Sequence, residues 1–154
     1  MAIGGENISN DLIWEITRGN NAFLVKRKQA GGVQFSRDPL NLVNKHSRKY
    51  EGYVNAQAIG IQPDSNTITL TTKTSSANKP AKLYQTSSFN ASTPTRKLYK
   101  SVVNSTAKKG YRSDLRAEAV ARASAVRSSQ REKKQRSTET KLRGAKARKA
   151  EESS

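Results

Sequence analysis

Apolar and polar positions alternate in short runs over the first half of the chain, a pattern typical of β-strands. Leu12, Trp14 and Ile16 form the first series, and a turn at residues 19–21 separates it from a second short run at residues 22–26. Successive side chains point to opposite faces of a strand, so these two runs predict a β-hairpin.

The clearest pair of strands follows at residues 53–61 and 67–74, where β-branched and aromatic side chains are frequent. Turn-forming residues at 63–66 join the two runs, and Ile68 and Leu70 fall on one face of the second. Together with the hairpin, this pair predicts one antiparallel sheet of four or five strands that is apolar on one face. The predicted core consists of Trp14, Ile16, Phe23, Val25, Val54, Ile59, Ile61, Ile68 and Leu70.

The chain changes character after the second pair of strands. Residues 75–95 are rich in Ser and Thr and predict an extended linker. Leu98 and Val102 then show helical spacing, which predicts a helix at residues 95–109 that Gly110 would end.

An alanine-rich second helix is predicted to begin at Ser113 or Asp114, either of which can cap it, and to run to Gln130. Residues 131–154 are almost wholly charged, polar or Ala. This segment predicts a basic tail that buries nothing by itself.

These patterns predict an α+β fold, in which a small antiparallel β-sheet domain is followed by an extended linker, two basic α-helices and a basic tail. The predicted boundaries are an N-terminal extension at 1–10, a β-rich globular domain at 11–74, the linker at 75–95, a basic helical region at 96–130 and the tail at 131–154. Away from a partner, the linker and the tail should be disordered. Neither buries enough apolar surface to offset about 1–2 kcal/mol of backbone entropy per residue.

Charge narrows the class of partner. The 154 residues carry 29 Lys and Arg against 12 Asp and Glu, a formal net charge of +17, and only 33% of them are hydrophobic. Residues 1–95 hold 11 basic and 6 acidic side chains, whereas residues 96–154 hold 18 and 6, so most of the positive charge lies in the C-terminal part. The sequence therefore predicts at most one small domain and a polyanionic partner.

Several classes of protein are disfavoured by what the residues lack. The chain has no Cys, which excludes disulfides, thiolate metal sites and a cysteine nucleophile, and it shows neither a secretory signal nor a membrane span.

His46 lies in a polar run and is predicted to be exposed or to lie beside a phosphate. Asp11 and Glu15, in a strand, would be about 13 Å apart, too far to share a proton or a metal. We expect a soluble protein of a reducing compartment that is not an enzyme and needs no cofactor or small-molecule substrate.

The second helix carries the strongest positive signal. Leu115, Ala119, Ala123 and Val126 form a narrow seam of apolar residues on it. Arg116, Arg127, Arg131 and Lys134 form a basic stripe beside the seam, with Arg122 on the other edge. This arrangement predicts a helix that lies against a protein or nucleic-acid surface while its guanidinium groups reach phosphates.

Tyrosines accompany basic residues at several places along the chain, which favours base stacking or phosphate contact. The candidate RNA-binding residues are Arg18, Lys26, Arg27, Lys28, Arg48, Lys49, Tyr50, Lys79, Lys82, Tyr84, Arg96, Lys97, Lys100, Lys108, Lys109, Tyr111, Arg112, Arg116, Arg122, Arg127 and Arg131.

A set of residues in fixed order and spacing also points to a known family. The strongest stretch is Tyr111-Arg112, Asp114-Leu115-Arg116, Arg122-Ala123-Ser124-Ala125 and Ser129-Gln130. Further positions are Trp14 with Arg18, Asn21 and Phe23-Leu24 with Lys26-Arg27, Pro39 with Asn41-Leu42, Tyr50 with Gly52, Gly60 with Pro63, and Lys79-Pro80-Ala81 with Tyr84. Over residues 11–130 the chain resembles the eukaryotic large-subunit (60S) ribosomal protein 28 family.

The resemblance implies a structural component of the 60S subunit with a small mixed α/β domain and extended and helical C-terminal segments. It implies binding to large-subunit rRNA near the outer surface and its expansion segments, with ribosomal proteins as neighbours and no enzymatic activity. Such a protein would act in cytoplasmic ribosomes after nuclear and nucleolar transit, for which the basic clusters at 133–136 and 148–149 are import candidates. The chain departs from the family pattern at Ser113, where proline is usual, and in its Glu-containing tail.

Two alternatives remain open. A nucleolar ribosome-assembly factor shares the family's domain, although it has a long acidic C-terminal extension where this chain is basic. A linker-histone-like chromatin protein would also join a small domain to a basic tail, but such tails are dominated by Lys and rich in Pro.

Overall fold

The computed structural model describes residues 8–29, 31–74, 79–132 and 143–152. Its helices and strands are α1 (Asn10–Thr17), β1 (Leu24–Lys26), β2 (Gln34–Ser36), β3 (Ile59–Asp64), β4 (Thr67–Lys73), β5 (Tyr84–Phe89), α2 (Thr95–Ser105), α3 (Arg116–Gln130) and α4 (Ala145–Glu152). Short 3₁₀ turns lie at Pro80–Lys82, Ala107–Lys109 and Ser113–Leu115. The predicted α+β class is confirmed.

Two antiparallel sheets are formed in place of the single predicted one. β1 pairs with β2, and β3, β4 and β5 form a separate three-stranded sheet in that order. Hydrogen bonds from the backbone to side chains stabilise the irregular segment between the two sheets. Asp38 accepts hydrogen bonds from the backbone N–H groups of Leu40, Gly52 and Tyr53. Backbone donors engaged in this way are not available to a continuous ladder.

Strand β5 lies within the predicted linker, so the linker prediction is wrong over these residues. β5 pairs with β4 along its whole length, with Tyr84 opposite Lys73 and Phe89 opposite Ile68. Five of its six residues are exposed, and only Phe89 packs against the core. Backbone pairing with β4, rather than an apolar pattern, specifies this strand. The alternation of apolar and polar residues therefore did not reveal it.

The first predicted strand is instead helix α1. Ser9 caps it by accepting a hydrogen bond from the N–H of Leu12, and Asp11 lies in its first turn, where a negative charge favours a helix. Ile13 is the buried residue of α1, while Ile16 is 72% exposed and Trp14 is only half-buried. Ile16 is therefore wrong as a core residue, because a helical period turns it away from the protein.

The core lies between the three-stranded sheet and helices α2 and α3. Leu98 and Val102 of α2 pack with one face of the sheet and with the α3 seam, and both are fully buried. Val54 is also buried, whereas Phe23 and Val25 are half-buried. The core predictions for the sheet, Ile59, Ile61, Ile68 and Leu70, are confirmed.

The helix boundaries agree with the sequence at two of four ends. α2 begins at Thr95 and α3 ends at Gln130, as predicted. α2 stops at Ser105 and continues as a 3₁₀ turn, after which Gly110 adopts the left-handed conformation (φ +73°) expected of a helix-ending glycine. Neither predicted cap bonds to the start of α3, since no side chain caps that helix.

The basic tail contains a helix of its own, α4, which contradicts its predicted disorder over those residues. The whole predicted import cluster at 133–136, which includes Lys134, lies outside the described residues, as do residues 75–78 of the predicted linker. No helix in the described part of the chain has both the length and the apolar character needed to cross a membrane.

Candidate nucleic-acid interface

A group of five exposed cations lies on and just after helix α2. Leu98 and Val102 face the core, and at about 100° per residue this directs neighbouring basic side chains to the opposite side. We call this group the α2 surface; it consists of Arg96, Lys97, Lys100, Lys108 and Lys109, all exposed.

No acidic residue interrupts this part of the sequence. Between Asp64 and Asp114 the chain contains nine Lys and Arg and no Asp or Glu. Lys73 is the buried exception among the nine, since its ammonium group donates to the carbonyl oxygens of Gly52, Tyr53 and Asn55. Burial lowers the pKa of Lys73. Arg112 is also set apart, because it pairs with Asp114. The other seven basic side chains contribute to a positive field that no carboxylate within the segment cancels.

Two smaller groups of candidate residues are also exposed. Lys26, Arg27 and Lys28 lie at and after the end of β1, and the Lys26 ammonium donates to the Gly19 carbonyl at 2.7 Å. Next to the other sheet, Lys79 precedes the 3₁₀ turn before β5 and Lys82 is the last residue of that turn.

Tyr84 is the candidate tyrosine that is open to stacking. It is 44% exposed and lines an apolar cavity of about 460 Å³ together with Phe23, Leu40 and Tyr53. Its exposed ring makes it available to a nucleobase.

Tyr111 and Tyr50 serve the fold instead. The Tyr111 hydroxyl accepts a hydrogen bond from the Ala58 N–H at 3.1 Å and lies 2.8 Å from the Lys73 carbonyl oxygen. Burial raises the pKa of Tyr111. Tyr50 is half-buried against the core, and its hydroxyl lies 3.4 Å from Glu118 Oε1. Neither ring is placed as an open stacking surface.

Arg112 joins the start of α3 to the loop before β3. Its guanidinium donates to the carbonyl oxygens of Gln57 at 3.0 Å and Lys49 at 2.9 Å, and to both carboxylate oxygens of Asp114 at 2.9 Å. The bidentate bond to Arg112 lowers the pKa of Asp114. Arg112 therefore holds the fold together and has little capacity left for phosphate.

We expect Asp114→Asn to reduce stability at neutral pH more than in acid. Since the folded-state pKa of Asp114 is lowered, its carboxylate stabilises the fold above the unfolded-state pKa, and this contribution is lost as pH falls through the folded-state value. Urea unfolding of both proteins across acidic and neutral pH checks this. A stability difference that stayed constant into strong acid would contradict the expectation.

The remaining basic residues of the first half are partly engaged. Arg48 donates to Asp11 at 3.0 Å and also bonds Asn55, which fixes α1 to the loop before β3. Arg18 pairs with Glu15 at 3.1 Å, but both are exposed, and such pairs are worth little. Arg18 therefore stays available to a polyanion. Lys49 is exposed too, with its ammonium 5.4 Å from the Tyr50 ring centre.

The arginines of α3 do not form the open stripe that the sequence predicted. The apolar seam is buried within the protein's own core, so it does not lie against a partner. Arg116 is exposed, but Arg122 donates to the Ile61 carbonyl at 3.3 Å. Arg127 is 6% exposed, and Arg131 donates to the Thr95 hydroxyl at 2.9 Å. The sequence of a single helix does not show that its arginine side chains will bond to backbone carbonyl oxygens of other segments.

The His46 side chain is only 7% exposed, which contradicts the prediction of an exposed imidazole. Its Nδ1 lies 3.2 Å from Glu51 Oε1 and its Nε2 lies 2.8 Å from the Arg18 carbonyl oxygen. Burial raises the pKa of Glu51, which also accepts a hydrogen bond from Ser36. Glu51, the acid partner of His46, lies five residues after it in the sequence. Both imidazole nitrogens are thus bonded, and the bond to Arg18 links the end of α1 to the loop that contains His46.

Comparison with known proteins agrees with the resemblance seen in the sequence. A model described as the Ribosomal L28e protein family matches residues 12–129. The large ribosomal subunit protein eL28 of Schizosaccharomyces pombe is 47% identical over 131 residues, which cover 83% of this chain and 97% of that protein. The eL28 proteins of Dictyostelium discoideum (34% over 128 residues, 82% and 92%) and Caenorhabditis elegans (36% over 83 residues, 53% and 64%) are also similar. The resemblance is confirmed, and the chain belongs to the ribosomal L28e protein family.

Proposed function

We propose that this protein is a structural constituent of the large ribosomal subunit and that its α2 surface binds rRNA phosphates. The names of its relatives support the first part. The observation that carries the second is the acid-free segment between Asp64 and Asp114, which presents five exposed cations on and beside one helix.

The chemistry of these side chains favours positioning over sequence reading. Lys and Arg on an exposed helix face reach phosphate and sugar, which fix orientation and carry no base information. Lys26, Arg27 and Lys28 would extend the footprint to the first sheet, and Tyr84 would stack on an unpaired base. The function is structural, with no catalytic step.

The proposal includes the setting in which the protein works. Its partners would be large-subunit rRNA and neighbouring ribosomal proteins near the subunit surface and its expansion segments. It would reside in cytoplasmic ribosomes after nuclear and nucleolar assembly.

Sedimentation of the tagged full-length protein tests the assignment to the mature subunit. We expect it at unit stoichiometry in free large subunits and in translating ribosomes, and in the large-subunit peak after the two subunits are separated. Presence only in nuclear precursors would indicate an assembly factor, and presence in chromatin would indicate a histone-like protein. Either outcome would overturn the proposal.

A further inference from the structure

A polar pocket of about 300 Å³ lies where the N-terminus of α2 meets the C-terminus of α3. Residues 91–95, Asn66, Arg127, Gln130 and Arg131 line it. Among the described residues that line the pocket, two are arginines and none is acidic, so the pocket is positively charged.

Arg127 brings an uncompensated charge into this wall. It is 6% exposed, and its Nη2 donates to the carbonyl oxygens of Asn90 at 3.2 Å and Thr93. Within the described residues its Nε and Nη1 make no hydrogen bond, and no carboxylate forms an ion pair with it. A buried charge without a counter-charge is unfavourable, and an anion in the pocket would compensate it.

Arg131 adds a second guanidinium on the same side of α3. It is the residue that follows the last residue of α3, and it lines the same pocket as Arg127. Its Nη2 donates to the Thr95 hydroxyl at 2.9 Å, which draws the side chain over the start of α2. Because Arg131 is exposed, it lies at the mouth of the pocket while Arg127 lies in the wall.

The start of α2 is itself suited to an anion. Pro94 occupies the N-cap position and no side chain caps the helix, so the N–H groups of Thr95, Arg96 and Lys97 have no acceptor within it. The first turn contains no acidic residue and two basic ones. Basic residues at the positive end of a helix dipole are unfavourable on their own, whereas a bound anion reverses the effect.

We propose that this pocket binds one phosphate of the rRNA backbone, held by Arg127, Arg131 and the N–H groups at the start of α2. This inference rests on the proposed function and adds a defined site to it. Arg96 and Lys97 belong both to the pocket's helix turn and to the α2 surface. An RNA backbone that follows the α2 surface would therefore present a further phosphate to the pocket.

The full-length protein with Arg131→Gln tests the site against Arg37→Gln. Both arginines are exposed and both changes remove one charge, but Arg37 does not line the pocket. Binding to purified large-subunit rRNA is measured against salt concentration. We expect the log–log slope to fall by about 0.7–0.9 in Arg131→Gln, the loss of one phosphate contact, and to stay unchanged in Arg37→Gln.

Side-chain Nε–H signals of the isotope-labelled protein provide a second measurement. Addition of dimethyl phosphate, a phosphodiester, should shift the Arg127 signal and leave that of Arg37 in place. Arg131→Gln should weaken this binding about tenfold, as expected for one charge-assisted hydrogen bond. Melting temperatures of the variants confirm that each is folded.

The outcomes separate this site from the wider proposal. If wild-type protein binds rRNA with a steep slope that Arg131→Gln does not change, the site is wrong and the proposed function stands. A shift with inorganic phosphate alone, again with an unchanged slope, would show an adventitious ion only and would also overturn the site. Failure of the wild-type protein to bind rRNA would overturn the proposed function and the site with it.

Discussion

Replacing all five residues of the α2 surface with Gln is expected to lower the steepness of the salt dependence of rRNA binding. The slope of log affinity against log salt concentration should fall in magnitude by about 3.5–4.5. Each phosphate contact contributes about 0.7–0.9 to this slope, because it releases condensed counterions. Gln is a good helix former and its side chain is exposed here, so α2 itself should persist. Binding of wild-type and variant protein to purified large-subunit rRNA over a salt series measures the difference.

A control with the same change in net charge keeps this prediction specific. Lys45, Arg37, Arg143, Arg148 and Lys149 are exposed and lie outside the α2 surface, so their replacement with Gln also removes five charges. We expect this variant to keep most of the slope. Equal losses in the two variants would show that affinity depends on total charge and not on the α2 surface.

Leu98→Ala should cost about 2–5 kcal/mol of folding free energy, the largest stability effect that we expect from a single substitution. Leu98 has no exposed surface and packs between the sheet and α3, so its truncation leaves a cavity at the centre of the core. Urea unfolding measures the loss through a lower midpoint at an unchanged slope.

Ile16→Ala is the matched control for that loss. The Ile16 side chain is 72% exposed, and substitutions at such positions usually change stability by no more than about 0.5 kcal/mol. Comparable destabilisation by the two variants would contradict the packing described for the core.

Apolar patterning predicted the parts of the fold where one face is buried. Ile68 and Leu70 alternate with polar residues and indeed face the helices, and the seam from Leu115 to Val126 is buried. The same reasoning failed at α1, where Leu12, Trp14 and Ile16 mimic a strand. There the Ser9 cap and the adjacent Ile13 were the better signals.

Strand β5 shows a second kind of failure. Its residues are polar and mostly exposed, so neither period nor composition distinguishes it from a linker. The strand exists because residues 68–73 of β4 pair with β5 along the whole length of β5. Pairing between segments distant in sequence has no local signature.

The candidate site was predicted by charge and corrected by geometry. The basic residues around α2 are exposed, and among the described residues no carboxylate forms an ion pair with them. Arg112, Arg122 and Arg127 instead donate to backbone carbonyls 34 to 63 residues away in the chain. Such partners become visible only after the chain is folded.

Acidic residues are placed where they support the fold. Asp11, Asp114 and Glu15 pair with arginines, Glu51 is buried beside His46, and Asp38 accepts backbone hydrogen bonds. The α2 surface has no such neighbours in the sequence. These acidic residues are thus engaged within the fold, whereas the exposed cations of the α2 surface stay available to a polyanion.

Crosslinking of this protein to rRNA in purified large subunits, read at nucleotide and residue resolution, tests the central claim most directly. We expect crosslinks from Arg96, Lys97, Lys100, Lys108 and Lys109 to nucleotides of large-subunit rRNA. Crosslinks from the α2 surface to neighbouring proteins alone, with none to rRNA, would contradict the account.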